Sequence, residues 1–174
     1  LIYKGSYMVK AQGDGIVTTN EKEQGNLSID QGTFVIEAQQ DGLQSASDLT
    51  IYDGVFTVTS GGGSVNKVSA SSSPQPWGEF DNHDETTETS QKGIKAAKNM
   101  VLYKGSYTIS SHDDALHANG SMDIKDGTYT LSSDDDGMHA DVTLTIRKGS
   151  VQIKQSYEGL EANTIQIKGG KIQV

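Results

Sequence analysis

The chain has 174 residues, 33% of them hydrophobic, with no cysteine and a net charge of −9. The length predicts one domain, and the lack of cysteine excludes a disulfide framework. The 14 basic residues form no cluster, which argues against nucleic acid as a partner. No apolar run approaches the roughly 20 residues that span a membrane, so we expect no membrane insertion.

A glycine-centred phrase recurs along the chain with a period of about 22 residues, which is the sequence signature of a solenoid. Five residues are inserted in one copy and about 29 in another, as the longer intervals between these glycines show. The repeated glycine stands at Gly5, Gly32, Gly54, Gly105, Gly127, Gly149 and Gly170.

Apolar residues alternate with polar ones on both sides of each glycine. Around Gly54 they are Leu49, Ile51, Phe56 and Val58. This period of two predicts short strands with one buried face, and the glycine marks a corner that needs a positive φ or a close backbone approach. A third apolar column follows at Ile16, Leu43, Ile94, Leu116, Met138 and Leu160.

Three short strands per repeat, with like residues in phase, predict an all-β chain folded as a parallel β-helix. We expect about seven coils and right-handed winding, the commoner hand, in a single domain over residues 1–174. The pattern breaks over residues 61–90, which predicts one long loop insertion carrying Trp77 as a candidate ligand-binding residue. An ordinary surface loop is the alternative. Because the chain starts at Leu1 and stops at Val174 inside repeats, we expect a fragment of a longer solenoid.

One column of the predicted β-helix is acidic. Equivalent residues of neighbouring coils lie about 4.8 Å apart, and like charges at that spacing repel one another. A bound Ca²⁺, which takes six to eight oxygen ligands, would relieve the repulsion. Solvated aspartates that cap the turns are the alternative. The candidate calcium ligands are Asp113, Asp114, Asp134, Asp135, Asp136 and Glu158.

His117 and His139 share a phase with Gln44, Lys95 and Glu161. Two histidines on adjacent rungs are too few for a transition-metal site, so the sequence favours exposed polar stacking. We keep both histidines as candidate ligand-binding residues.

Tyr52 and Tyr103 stand two residues before their corner glycines and should point outward from adjacent coils. Two rings lying side by side on a sheet rich in hydroxyl groups suit a polysaccharide, because ring faces stack on the C–H faces of sugars. Ordinary strand propensity is the alternative explanation.

Four segments together resemble the repeats of a bacterial family of extracellular, carbohydrate-binding domain-containing proteins. They are QKGIKA (91–96), SHDDALHA (111–118), DDGMHA (135–140) and SYEGLEA (156–162). The resemblance implies a calcium-binding parallel β-helix at the cell surface, with pectic acid or cellulose as ligand. It also implies calcium ligands at Asp113, Asp114, Asp135, Asp136 and Glu158.

Two other classes of function remain open. A polysaccharide lyase or glycoside hydrolase can share this fold, but a lyase needs a basic residue near the metal, and Arg147 should lie away from the acidic corner. A structural solenoid could instead stack end to end into a fibre or scaffold. The sequence favours a non-catalytic polysaccharide binder.

Overall fold

The computed structural model describes residues 1–20, 25–65 and 89–174. Trp77 and most of the predicted insertion at 61–90 lie outside the described residues. Within the described ranges every regular element is a β-strand, which confirms the all-β prediction. No helix in those ranges is long and apolar enough to cross a membrane.

The described residues form seventeen strands, numbered here in chain order. They are β1 (Ser6–Ala11), β2 (Ile16–Val17), β3 (Leu27–Ile29), β4 (Thr33–Ala38), β5 (Leu43–Ser45), β6 (Leu49–Ile51), β7 (Val55–Ser60), β8 (Ile94–Ala96), β9 (Met100–Leu102), β10 (Ser106–Ser111), β11 (Leu116–Ala118), β12 (Met122–Ile124), β13 (Thr128–Ser133), β14 (Met138–Ile146), β15 (Ser150–Gln155), β16 (Leu160–Ile167) and β17 (Lys171–Gln173).

Each strand pairs in parallel with the equivalent strand of the next repeat. One sheet has the order β1-β4-β7-β10-β13-β15-β17, and the other runs β2-β5-β8-β11-β14-β12-β9-β6-β3 with β16 paired to β14. The register agrees with the glycine alignment, because Phe56 lies opposite Phe34 on one side and Tyr107 on the other. The prediction that like residues share a column is therefore confirmed for these strands.

The late repeats differ from the predicted three short strands. Strand β14 runs without a break through both the second and the third strand positions, pairing with β11 at Met138 and with β12 at Leu144. In the preceding repeat Gly120 lies between the two strands, whereas β14 has Val142 and Thr143 in that region. Since β-branched residues favour extended backbone, the corner opens into one strand.

A ladder of aromatic rings runs through the core beneath the corner glycines. Adjacent rings are stacked, with centroids 4.8, 4.7, 4.9 and 4.7 Å apart along the ladder. Its members are Tyr7, Phe34, Phe56, Tyr107 and Tyr129. At Gly105, φ is +120°, and a Cβ would lie 2.9 Å from the Gly54 carbonyl oxygen. Both predicted reasons for glycine therefore apply at this corner.

Candidate functional site

The aspartates of the predicted acidic column stack from repeat to repeat, and their carboxylates accept hydrogen bonds from backbone N–H groups. Asp14 Oδ1 accepts the N–H of Asp41 at 3.0 Å, and Asp41 Oδ1 accepts the N–H of Lys92 at 2.7 Å. Asp114 and Asp136 continue the pattern, since Asp114 Oδ1 accepts the Asp136 N–H at 3.0 Å. Each aspartate thus binds the backbone of the next repeat, which agrees with the turn-capping alternative.

Lys92 neutralises one end of the acidic cluster. Its Nζ lies 2.7 Å from Asp113 Oδ2 and 3.0 Å from Asp114 Oδ2. Burial alone would lower the pKa of Lys92, but the charges of Asp114 and Asp113 outweigh it and raise the pKa above the usual value. The ammonium group therefore stays charged at neutral pH, and it occupies space that a cation bound to Asp113 and Asp114 would need.

His117 is buried, with only 9% of its surface exposed, so the predicted exposed polar stacking is wrong for this residue. Its Nδ1 lies 2.7 Å from Asp114 Oδ2, and its Nε2 lies 3.1 Å from Asn119 Oδ1. Both neighbours offer oxygens, so each ring nitrogen of His117 faces a hydrogen-bond acceptor. Burial raises the pKa of Asp114, but the His117 hydrogen bond and the nearby Lys92 charge lower it to about 2.

His139 occupies the next rung, and oxygens surround it. Its ring lies edge-on to the His117 ring, at 62° and a centroid distance of 4.8 Å. His139 Nδ1 lies 3.2 Å from Asp136 Oδ2 and 3.4 Å from Glu161 Oε2. Asp136 is 2% exposed. Burial, a hydrogen bond with Glu161 and the neighbouring carboxylate charges raise the pKa of Asp136 to about 9.

A more open acidic group lies beside these residues. Ligand oxygens of Asp135, Asp136 and Glu158 all lie within 4.8 Å of one another, and Asp135 forms a similar group with Asp113 and Asp114. Burial and the charges of Asp114 and Asp113 raise the pKa of Asp135. Five of the six predicted calcium ligands therefore come together at one corner.

The sixth, Asp134, points elsewhere. Its Oδ2 lies 3.0 Å from His112 Nδ1, and its Oδ1 accepts a hydrogen bond from Gln155 Nε2 at 3.0 Å. Asp134 and His112 are neighbours because they occupy the same column in adjacent repeats. Among the described residues, no group of side chains that could hold a metal ion includes Asp134.

The two predicted surface tyrosines form a stacked pair. The rings of Tyr52 and Tyr103 lie 4.9 Å apart at 17° and are 46% and 41% exposed. Basic residues occupy the same column in the next two repeats. The Lys125 N–H donates to the carbonyl oxygen of Leu102, the residue before Tyr103, and the Arg147 N–H donates to that of Ile124, the residue before Lys125. Arg147 forms an ion pair with Asp123 at 2.8 Å, away from the acidic corner as predicted.

Shallow recesses run along the corner glycines beside this column. One, of about 440 Å³, is lined by Lys4, Gln31 and Asp53 together with glycine backbone. A second, of about 420 Å³, shares Asp53 and adds Lys104 and Asp126. Polar side chains beside exposed aromatic rings can hydrogen-bond and stack against a sugar at the same time.

Stacked, exposed tyrosines beside polar recesses on an outer surface suit a sugar as ligand. A family model described as carbohydrate-binding domain-containing protein matches residues 1–137. The chain belongs to this family, whose description indicates binding rather than catalysis. No curated protein matches the chain, and neither does any solved structure.

Sequence reasoning missed three contributors to the acidic corner. Ser90 donates to Asp41 at 2.7 Å, and Lys95 Nζ lies 3.6 Å from the other oxygen of that carboxylate. Asp141 Oδ1 lies 3.3 Å from His139 Nε2. Lys95 shares the histidine column and could have been found from that phase. Ser90 lies outside the aligned columns, so no periodic signal marks it. Asp141 stands 22 residues after Asn119 and 22 before Asn163, and that column of short polar residues could have marked it.

Proposed function

We propose that the chain is a right-handed parallel β-helix of seven coils that binds an acidic polysaccharide, without catalysis, at a bacterial cell surface. The parallel registers between successive repeats support this architecture. The family match supports carbohydrate as the ligand. The main support is the stacked pair of Tyr52 and Tyr103, because two exposed rings on adjacent repeats form a flat platform on which sugar rings can stack.

We favour an acidic polymer such as pectic acid over neutral cellulose because the column of the two tyrosines continues into basic residues. Lys104 is exposed beside the platform, in a recess that also contains Asp53 and Asp126, and it forms no ion pair among the described residues. Lys168 is exposed three repeats further along the same column. Repeats about 4.8 Å apart can meet successive uronate residues of an extended chain. Lysine ammonium groups then attract carboxylates, while the rings stack on the sugar faces.

Replacing Tyr52 and Tyr103 by alanine together should weaken retention on polygalacturonate about 30-fold, if each ring contributes about 1 kcal/mol. Affinity electrophoresis in gels containing polygalacturonate, methyl-esterified pectin or soluble cellulose derivative measures the effect. The matched control is Tyr157→Ala, since Tyr157 is 80% exposed and has no ring partner among the described residues. Equal loss in both variants, or stronger retention by the esterified polymer, would contradict the proposed site.

We also propose that one Ca²⁺ binds Asp135, Asp136 and Glu158. The support is the convergence of three carboxylates at the side of the acidic corner that Lys92 does not reach. Hard oxygen ligands suit this ion, and backbone carbonyl groups and water can complete its shell. Asp113 and Asp114 adjoin the site, but Lys92 pairs with both and offsets part of their charge.

Calcium at a hundredfold excess over its Kd should stabilise the native state by about 2.7 kcal/mol, a rise of about 5–10 °C in Tm for a chain of this size. Thermal melts in CaCl2 and in EGTA measure the shift. Asp135→Asn should abolish it, and Asp134→Asn should preserve it, since Asp134 faces His112 instead. A melting midpoint that calcium leaves unchanged would remove this ion from the proposal.

The non-catalytic assignment has support in the state of Lys92. A lyase needs a neutral basic group beside the metal to abstract a proton. Lys92 lies at the acidic corner, but its two carboxylate partners raise its pKa, so it holds its proton. Release of unsaturated sugars from polygalacturonate would refute this part of the proposal.

A further inference from the structure

We propose that Asp136, His139 and Glu161 form a binding site for a divalent transition-metal ion of the Zn²⁺ type, which adjoins the proposed calcium position and shares Asp136 with it. Two histidines alone are too few to hold such an ion. The structure instead brings one imidazole and two carboxylates from adjacent repeats to a common point.

The spacing of the ligand atoms fits tetrahedral coordination. Two ligand atoms bound to Zn²⁺ at about 2.0–2.1 Å with a tetrahedral angle lie about 3.3 Å apart. His139 Nδ1 lies 3.2 Å from Asp136 Oδ2 and 3.4 Å from Glu161 Oε2. One imidazole and two carboxylates leave a fourth position for water. Asp114 Oδ2, at 3.9 Å from His139 Nδ1, is already held by Lys92 and His117.

A further carboxylate lies behind the histidine, where it can orient the ring. Asp141 Oδ1 is 3.3 Å from His139 Nε2. A carboxylate that accepts the second ring N–H fixes the tautomer and leaves the other nitrogen free to bind the metal, as in carboxylate–histidine–zinc triads. His117 forms a similar group with Asp114 and His139, but Lys92 already pairs with the Asp114 oxygen of that group at 3.0 Å.

The negative charge of the carboxylates around His139 also favours a bound cation. Asp136 is 2% exposed, and its Oδ2 faces His139. Glu161 and Asp135 bring further carboxylate oxygens close to Asp136, and no lysine or arginine among the described residues forms an ion pair with it. A divalent cation would offset this concentration of negative charge. Calcium is a poor substitute because it prefers oxygen to imidazole nitrogen.

Isothermal titration of Zn²⁺ into the untagged chain at pH 7.5, with CaCl2 present throughout, tests the site. We expect one Zn²⁺ per chain. Removing an orienting partner behind a metal ligand typically costs 10–100-fold in affinity, so His139→Ala should lose more than about tenfold. The matched control is His112→Ala, whose ring pairs with Asp134 and belongs to no metal-type group among the described residues.

Glu161→Gln provides a second test that is insensitive to folding, because the Glu161 side chain is 50% exposed and the substitution keeps its shape. It should also lose more than about tenfold in Zn²⁺ affinity. Asp135→Asn should keep Zn²⁺ binding while losing the calcium effect, which separates this site from the proposed function. Absence of Zn²⁺ binding, equal losses in His112→Ala and His139→Ala, or full affinity in Glu161→Gln would overturn the proposal.

Discussion

Replacing Phe56 by alanine is expected to lower the free energy of unfolding by about 3–5 kcal/mol, the usual cost of removing a buried aromatic ring. The Phe56 ring is 1% exposed and lies between Phe34 at 4.7 Å and Tyr107 at 4.9 Å. The cavity would interrupt the ring ladder at its centre, so the repeats on both sides would lose their stacking contact with Phe56. At about 2–4 °C per kcal/mol, Tm should fall by roughly 6–20 °C.

Thr57→Ala is the matched control for this prediction. Thr57 is the next residue of the same strand, but its side chain is exposed. Its replacement should change stability by no more than about 0.5 kcal/mol. Urea unfolding followed by circular dichroism measures both variants. A Phe56→Ala loss below about 1 kcal/mol would show that the ladder repacks around the missing ring.

Asp136→Asn is expected to stabilise the metal-free chain at alkaline pH. The pKa of Asp136 is about 9 in the folded chain and about 3.9 in an unfolded one. The native state therefore retains a proton that the unfolded state loses. The stability from this group is complete below about pH 4 and is lost as pH rises towards 9, by up to about 1.4 kcal/mol per pH unit.

Asparagine cannot titrate, and its carbonyl oxygen can still accept the Glu158 N–H that Asp136 Oδ1 accepts at 3.3 Å. In EDTA the Tm of wild type should fall between pH 5 and pH 8, while that of Asp136→Asn should stay nearly constant. Asp30→Asn, at an exposed position in another repeat, should follow wild type. Parallel curves for wild type and Asp136→Asn would contradict the raised pKa.

The two aspartates of the acidic column show how neighbouring carboxylates can share a corner. Asp114 stays ionised because Lys92 and His117 lie at 3.0 and 2.7 Å from it. Asp136 lacks a lysine partner and meets Glu161 instead, so its pKa moves in the opposite direction. The same residue type in the same column thus has two protonation states, set by the side chains of adjacent repeats.

Much of the strand framework could be predicted from the sequence. Aligning the corner glycines placed Phe34, Phe56 and Tyr107 in one column, and the structure pairs them in that register. The outward stacking of Tyr52 and Tyr103 followed from the same alignment. These predictions hold because alternation and repeat phase are properties of the backbone, which side chains at other positions do not alter.

The merging of two predicted strands into β14 could not be predicted from the repeat phase. The repeat phase predicted a corner between Met138 and Leu144, because the glycines and core residues on both sides keep the phase of the earlier repeats. Val142 and Thr143 carry a local preference for extended backbone. That preference lengthens the strand while both ends keep their predicted partners.

By itself, the amino-acid sequence determined the parallel all-β framework, the buried apolar columns and the grouping of acidic residues at one corner. Only the tertiary structure decided what those acidic residues do. At a corner the alternation of side chains breaks down, so Asp134 turns to His112 while Asp135 joins Asp136 and Glu158. The repeat phase placed Glu161 opposite His139. The approach of its carboxylate to the imidazole, like the turn of Asp134 to His112, depends on backbone dihedrals and side-chain rotamers, which the repeat phase does not encode.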